Sequence, residues 1–274
     1  MKLIKPSYEI LEQSPGLKGI YKAIEVAGRT CYKSLDKITE DSAEGFVDRM
    51  IKSQHYAMLE HGTVYLTVPY NSIIEYADSQ NPFYRDILCN PWIKYVIDYE
   101  NDVVYISSNY RWIIENNLEN WLQYLCEPTE FHEKRITIKF IADIHFYKDI
   151  TRHRLFSWAI ESTRFCNYMK KKFKMSVSFM KPTWIREEDI PELEEDCRTI
   201  ESIYFKWINK GYQAQHAAYF LPQGTKAEVI MTGFQSDYSH FFDLRAKGTT
   251  GAPHPDVKAL VEPVYKTFIE RNYI

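Results

Sequence analysis

Residues 135–143 read RITIKFIAD, and this alternation constrains the fold more than any other stretch of the chain. Ile136, Ile138 and Phe140 occupy every second position. Side chains two apart share one face of a strand, so the pattern predicts a strand with one face in the core. A half-buried strand needs partners, and the chain must therefore build a sheet. TVYLTV at 63–68 alternates and is β-branched, which predicts a second strand; AEVIMTG at 227–233 suits a third. Helical stripes lie between them. Residues 39–54 carry Phe46, Val47, Met50 and Ile51 after the polar starters Thr39 and Ser42. Residues 196–210 carry Ile200, Ile203, Tyr204, Trp207 and Ile208, with Gly211 as the stop. Ser236 or Asp237 opens a short helix ending near Arg245. After the turn-rich KGTTGAPHP comes a last helix bearing Val257, Leu260, Val261, Val264 and Phe268. Strands and helices mix without a regular βαβ rhythm, which predicts an α+β fold.

The 274 residues contain no internal repeat, low-complexity tract or Gly/Ser linker, so residues 1–274 read as a single domain. The net charge of −3 supplies no global basic field, and no nucleic-acid partner is expected. No stretch approaches about 18 consecutive apolar residues, so no membrane span is expected. The opening MKLIKPSYEILEQ has neither a long apolar run nor a small-residue cleavage site, which points to a cytoplasmic protein. Cys31, Cys89, Cys126, Cys166 and Cys197 are odd in number, with no C-x-x-C pair. They read as reduced thiols, with no disulfide framework and no metal site. The G-x-G-x-x-G, G-x-x-x-x-G-K-[ST], G-x-S-x-G and H-E-x-x-H patterns are all missing. Any nucleotide must therefore be held by side chains rather than by a glycine cradle.

The stretch RHRLFSWAIESTRF at 152–165 supplies such side chains. Arg152, His153 and Arg154 repel one another, and the crowding is useful if anions sit on it. Guanidinium forks match phosphate oxygens, and Ser157 and Ser162 offer further hydrogen bonds. Read as a helix, the stretch brings His153, Ser157, Glu161 and Arg164 near one face. The plainer alternative is a solvated basic turn in which Glu161 pairs with Arg164. Two other segments matter. SQHYAMLEHGT holds His55, Glu60 and His61 just before a strand. HFFDLRAKGTTGAPHP holds Arg245 and His254, where an arginine at a helix end also balances the dipole.

Together these blocks resemble the flavin-dependent thymidylate synthases. Arg152-His153-Arg154, seven residues, then Ser162-Thr163-Arg164-Phe165 matches that family's R-H-R-x7-S signature. His55, Glu60 and His61 resemble its upstream histidine and E-H pair, and Phe241-Phe242-Asp243-Leu244-Arg245 its downstream F-[LF]-x-L-R. RTCYKS at 29–34 and the helix at the end resemble its longer branch, and the likeness spans roughly residues 20–270. The resemblance implies a central, largely antiparallel sheet flanked by helices, in a homotetramer with sites at subunit interfaces. It implies reductive methylation of dUMP to dTMP, using FAD, NADPH and 5,10-methylenetetrahydrofolate. By the same resemblance Arg152, His153, Arg154, His55 and His254 bind FAD, with His55 beside the flavin ring. Asp149, Glu161, Ser162, Arg164 and Arg245 bind dUMP. Arg245 lies by the uracil and, with Ser162 and His55, belongs to the catalytic set. Four positions depart from the pattern: Asp149 and Ile160 where Gln or Glu is usual, Ala218 where a phosphate-binding arginine is usual, and Gln223 for an asparagine. They leave two alternatives open, a flavoenzyme acting at C5 of another pyrimidine nucleotide and a non-catalytic flavin- or nucleotide-binding homologue.

Overall fold

The computed structural model describes residues 1–73, 90–170 and 173–274. The expected strand at 135–143 is present with those bounds, as β6 (Arg135–Asp143). It sits inside a four-stranded sheet, flanked by β2 (Ser7–Leu11) and β9 (Lys226–Phe234), with β7 (Ser157–Ile160) beyond β9. All three pairings are antiparallel. The register sets Ile136 against Gly233, Ile138 against Met231 and Phe140 against Val229. That face is apolar and is covered by α4 (Ile144–Ile150), α7 (Asp237–Phe242) and α8 (Pro255–Glu270), whose Phe146, Ile150, Tyr238, Phe241, Val261 and Phe268 are buried against it. On the other face Thr137 opposes Thr232, Lys139 opposes Ile230 and Ile141 opposes Glu228. This mostly polar face is roofed by α1 (Gly16–Cys31), through a small cluster around Ala27, Ala159 and Ile230.

A second antiparallel sheet, in the order β3 (Thr63–Pro69), β5 (Val103–Asn109), β4 (Lys94–Asp98), builds its own core. Val64, Leu66, Val68, Val104 and Ile106 pack there with α2 (Ser42–Lys52) and with Trp112 of α3 (Tyr110–Glu115). A parallel pair, β1 (Lys2–Ile4) and β8 (Ser178–Met180), lies beside the long helix α5 (Ile190–Asn209) and the short α6 (Ala214–Ala217). The architecture is α+β with a central antiparallel sheet flanked by helices, as expected.

Several boundaries move for local reasons. Thr39 stays outside α2, and its N–H donates to Ser42 Oγ at 2.9 Å. The helix expected at 196–210 starts at Ile190, because Pro191 is well placed in a first turn and Glu187–Asp189 already coil ahead of it. The short helix before Arg245 does not end there; it widens into a π turn over Asp243–Lys247 and stops at Gly248, whose φ of +71° favours glycine. The largest correction concerns residues 153–164. They are not helical: a turn leads into strand β7, so Ser157 and Glu161 do not stack on a helix face with His153 and Arg164. Of the cysteines, Cys31, Cys126, Cys166 and Cys197 form no disulfide among the described residues, and Cys89 lies outside them. No helix among the described residues is long and apolar enough to cross a membrane.

Candidate functional site

Asp143 ends β6 and caps α4, its Oδ1 accepting from the Phe146 N–H at 2.7 Å. That cap fixes where α4 begins; its last turn presents Asp149, and the turn after it His153, to the π turn carrying Arg245. One extra residue per turn re-aims a side chain, which is why such turns recur at functional positions. Arg245 is held on three sides. Its Nη2 donates to the Asp149 carbonyl at 2.7 Å, its Nη1 to Asp149 Oδ2 at 3.4 Å, and its Nε to His153 Nε2 at 3.2 Å. An imidazole nitrogen that accepts a hydrogen bond carries no proton. Burial, then the Arg245 and His240 charges, push His153 down to about 4 against the opposing pull of Asp149, so it is neutral near pH 7. Its ring meets Phe241 edge-on with centroids 5.1 Å apart. Arg152 and Arg154 flank this buried histidine and are exposed, with no acidic partner among the described residues.

A second group gathers at the other end of β7. Glu161 extends the pairing, its N–H donating to the Glu228 carbonyl at 2.8 Å. Its carboxylate lies on the polar face and is fully committed. Oε2 accepts from Lys226 Nζ at 2.6 Å and from the Glu228 N–H at 3.1 Å, with Lys33 Nζ at 3.5 Å. Glu228 in turn takes Lys226 at 2.6 Å, Lys139 at 3.0 Å and Lys33. Burial pulls Lys226 down to about 8 despite Glu161 beside it. Ile160 faces the apolar core instead, so Glu161 does not supply the polar group missing at position 160. Ser162 donates its N–H to the Cys31 carbonyl at 3.0 Å. Burial raises the Cys31 thiol to about 11, which removes it as a nucleophile. Arg164 is exposed and donates from Nε to Gln215 Oε1 at 3.0 Å, which draws the 214–220 segment, including Ala218, alongside it.

The structure thus brings Arg245, Asp149 and His153 together, and separately Ser162 and Arg164. His153 precedes β7 and Ser162 follows it, so the strand runs between the two groups. His55 stands exposed ahead of the turn at 56–61, donating its N–H to Met50 O at 2.9 Å. His254 caps α8, accepting from the Asp256 N–H at 3.3 Å, and packs on His145 with centroids 4.2 Å apart. His145 and Asp149 stand one turn apart on α4, and no contact joins His254 to Arg245 among the described residues. Glu60 and His61 are buried and structural. Glu60 pairs with Arg111 at 2.7 Å, and His61 Nδ1 meets Thr232 Oγ1 at 2.9 Å. The sequence reading missed the lysine–glutamate cluster. Its signal was Glu228, a charge inside the otherwise apolar run AEVIMTG.

Residues 113–271 match the family described as thymidylate synthase complementing protein. The match covers more than half of the chain, and the chain belongs to this family. A flavin-dependent thymidylate synthase of Pyrococcus furiosus is 29% identical over 100 residues, 35% of this chain and 39% of that protein. The match thus spans well under half of that relative. Two solved structures of the UMP/dUMP methylase PolB from Streptomyces cacaoi are similar. The one bound with 5-Br dUMP has a TM-score of 0.46 at 14% identity, covering 98% of this chain and 93% of that one. The one bound with 5-Br UMP has a TM-score of 0.47 at 13% identity, covering 98% and 92%.

Proposed function

We propose that this protein is a methyltransferase that converts dUMP to dTMP, using FAD, NADPH and 5,10-methylenetetrahydrofolate. The observation that carries the reading is the family match, because that one segment contains Arg152, His153, Arg154, Ser162, Arg164 and Arg245 in order. The reading takes residues 1–274 as one cytoplasmic domain in a homotetramer with sites between subunits. In that assembly each site draws residues, His55 and His254 among them, from more than one subunit.

The residues fit a flavin dinucleotide. Exposed Arg152 and Arg154 without acidic partners suit its phosphates, and the neutral His153 between them stands against the flavin without adding charge. Bound flavin supplies the hydride chemistry. The protein's part is positioning and electrostatics. Arg245 is fixed by Asp149 and His153 before any ligand arrives. Such a preset cation beside the uracil ring stabilises negative charge growing on N3 and O2, and so activates C5. Ser162 and Arg164 hold the nucleotide phosphate. Asp149 and Glu161 act through their partners: Asp149 orients Arg245, and Glu161 anchors Lys226.

One observation favours a second reading, a different pyrimidine nucleotide at the same site. Ala218 lies in the segment beside Arg164 and offers no cation, and losing a charge-assisted contact costs about 1.5–3 kcal/mol. Titration of dUMP into the FAD-loaded protein tests both readings by visible absorption. A flavin band that shifts saturably with dUMP supports dUMP as substrate. A band blind to dUMP and moved by UMP or another pyrimidine nucleotide supports the second reading. A protein that takes up no FAD refutes both.

A further inference from the structure

A cavity of about 250 Å³ opens between the central sheet, α1 and the β3 sheet. Residues 11–16, Thr63 and Tyr65 form its near walls, all preceding residue 113 where the family match begins. It contains none of the candidate site residues. Arg135, at the start of β6, lies at its inner end. Nη1 of Arg135 donates to the Glu60 carbonyl at 3.0 Å, with the Ser108 carbonyl at 3.4 Å and Thr63 Oγ1 at 3.5 Å. Its Nε is sealed and has no partner, and Nη2 has none among the described residues. No carboxylate pairs with it among the described residues. The residue is half-buried, and burial pushes its guanidinium down to about 10. Glu60 and Asp237 attract it from beyond ion-pair distance and the Phe234 ring centroid lies 5.4 Å from it; an anion placed directly against it supplies the paired charge that no described carboxylate does.

The surroundings suit one. The Tyr65 hydroxyl accepts the Arg135 N–H at 2.9 Å, and Thr137 adds a second hydroxyl. Gln13 is locked to Thr63 by two bonds of 2.8 Å, which makes the wall rigid. Helix α1 begins at the cavity edge with no side-chain cap and no acidic residue in its first turn, so its free N–H groups face no competing charge of their own. The carboxylates present are exposed ones at the mouth. Glu12 is paired with Arg271 at 2.8 Å, and Glu127 stands near Lys134 in the lining. A larger cavity of about 490 Å³ shares Leu11, Gln13, Ser14 and Thr137 and runs under α1 past Val26 and Ile230, so the space beyond the cation is largely apolar.

We propose that this cavity binds a small organic carboxylate, with its charged end on Arg135 and its apolar body against Leu11 and Ile20. The site is separate from the flavin and nucleotide site and stands whether or not that reading holds. Calorimetric titration of the full chain with benzoate, and with uncharged benzamide, tests it. Arg135→Met removes the cation, and Ser14→Trp fills the exposed edge without touching the carbonyls that Arg135 holds. The expected result is saturable benzoate binding, at least tenfold weaker in either variant and at least tenfold weaker for benzamide, as the loss of a charge-assisted bond implies. Should Arg135→Met fail to fold, Ser14→Trp and the benzamide comparison still decide. Absence of saturable benzoate binding, equal binding of benzamide, or undiminished binding to Ser14→Trp overturns the proposal.

Discussion

His61 makes stability depend on acid in a way that can be calculated. The ring is 1% exposed, its Nδ1 meets Thr232, and Arg135 lies close enough to oppose a second positive charge. Burial first, then Arg135, lower it from 6.5 to about 3. The folded state therefore refuses a proton that the unfolded chain accepts. Stability from this group is fully present above about pH 6.5 and is lost as pH falls toward 3. Between pH 7 and pH 4.5 the difference in proton uptake amounts to about 2.5 kcal/mol. Urea unfolding at the two pH values, for the wild type and His61→Asn, isolates the contribution, because the other titrating groups are common to both. Asparagine can still bond Thr232, so the variant folds with a lower absolute stability and a flatter pH dependence. The wild type should lose about 2.5 kcal/mol more than the variant over this interval. Equal losses would refute the argument that a neutral, water-excluded His61 sits beside Arg135.

Two further outcomes follow from the site. Arg245→Met removes the preset cation and should lower methylation of dUMP by about 100-fold or more while flavin uptake persists, as loss of one electrostatic donor does elsewhere; single-turnover rates and the flavin spectrum check it. Lys226→Met leaves Glu161, whose side chain is 1% exposed, without its closest cation. Breaking one partner of a buried pair costs about 3–5 kcal/mol, and Lys33 at 3.5 Å offsets part of that, so a fall toward the lower value is expected in urea unfolding.

How far these elements were legible depended on whether one period dominated. Ile136, Ile138, Phe140 and Ala142 are buried while their neighbours are only partly so, and β6 could be read to the residue. Strand β9 was visible only as an apolar run. It lies inside the sheet with both faces covered, so no alternation survives. Helix α1 was passed over although Leu17, Ile20, Tyr21, Ile24 and Ala27 recur at helical spacing; buried Glu25 and Arg29, bonded at 2.6 Å, put charge among them. Gly19 and Gly28 inside it also look like breaks. Both are needed for close contact: a Cβ at Gly19 would lie 1.6 Å from Ser14 O, and one at Gly28 would lie 2.5 Å from Phe46. Strand β7 is four residues long and too short for any period, which is why a helical reading of 153–164 looked plausible and failed.

The candidate site divides in the same way. The R-H-R block, Ser162, Arg164 and Arg245 stand as candidates on their spacing in the chain, since a motif can be read even where local structure is misread. Their grouping was not readable. The bond between Arg245 and His153 spans 92 positions, and the Lys226–Glu161 pair spans 65. No pattern of residues signals that Asp149 holds Arg245 through its backbone carbonyl as well as its carboxylate. Nor could spacing show that Ile160 and Glu161 point to opposite faces of the sheet, which follows only from the pairing of β7 with β9.

The central claim is that this chain activates C5 of dUMP. The most direct measurement is release of tritium from dUMP labelled at C5, with FAD, NADPH and methylenetetrahydrofolate present. The account predicts catalytic release that requires all three and falls with Arg245→Met. Wild-type protein that binds FAD and still releases no tritium above the enzyme-free rate would contradict it.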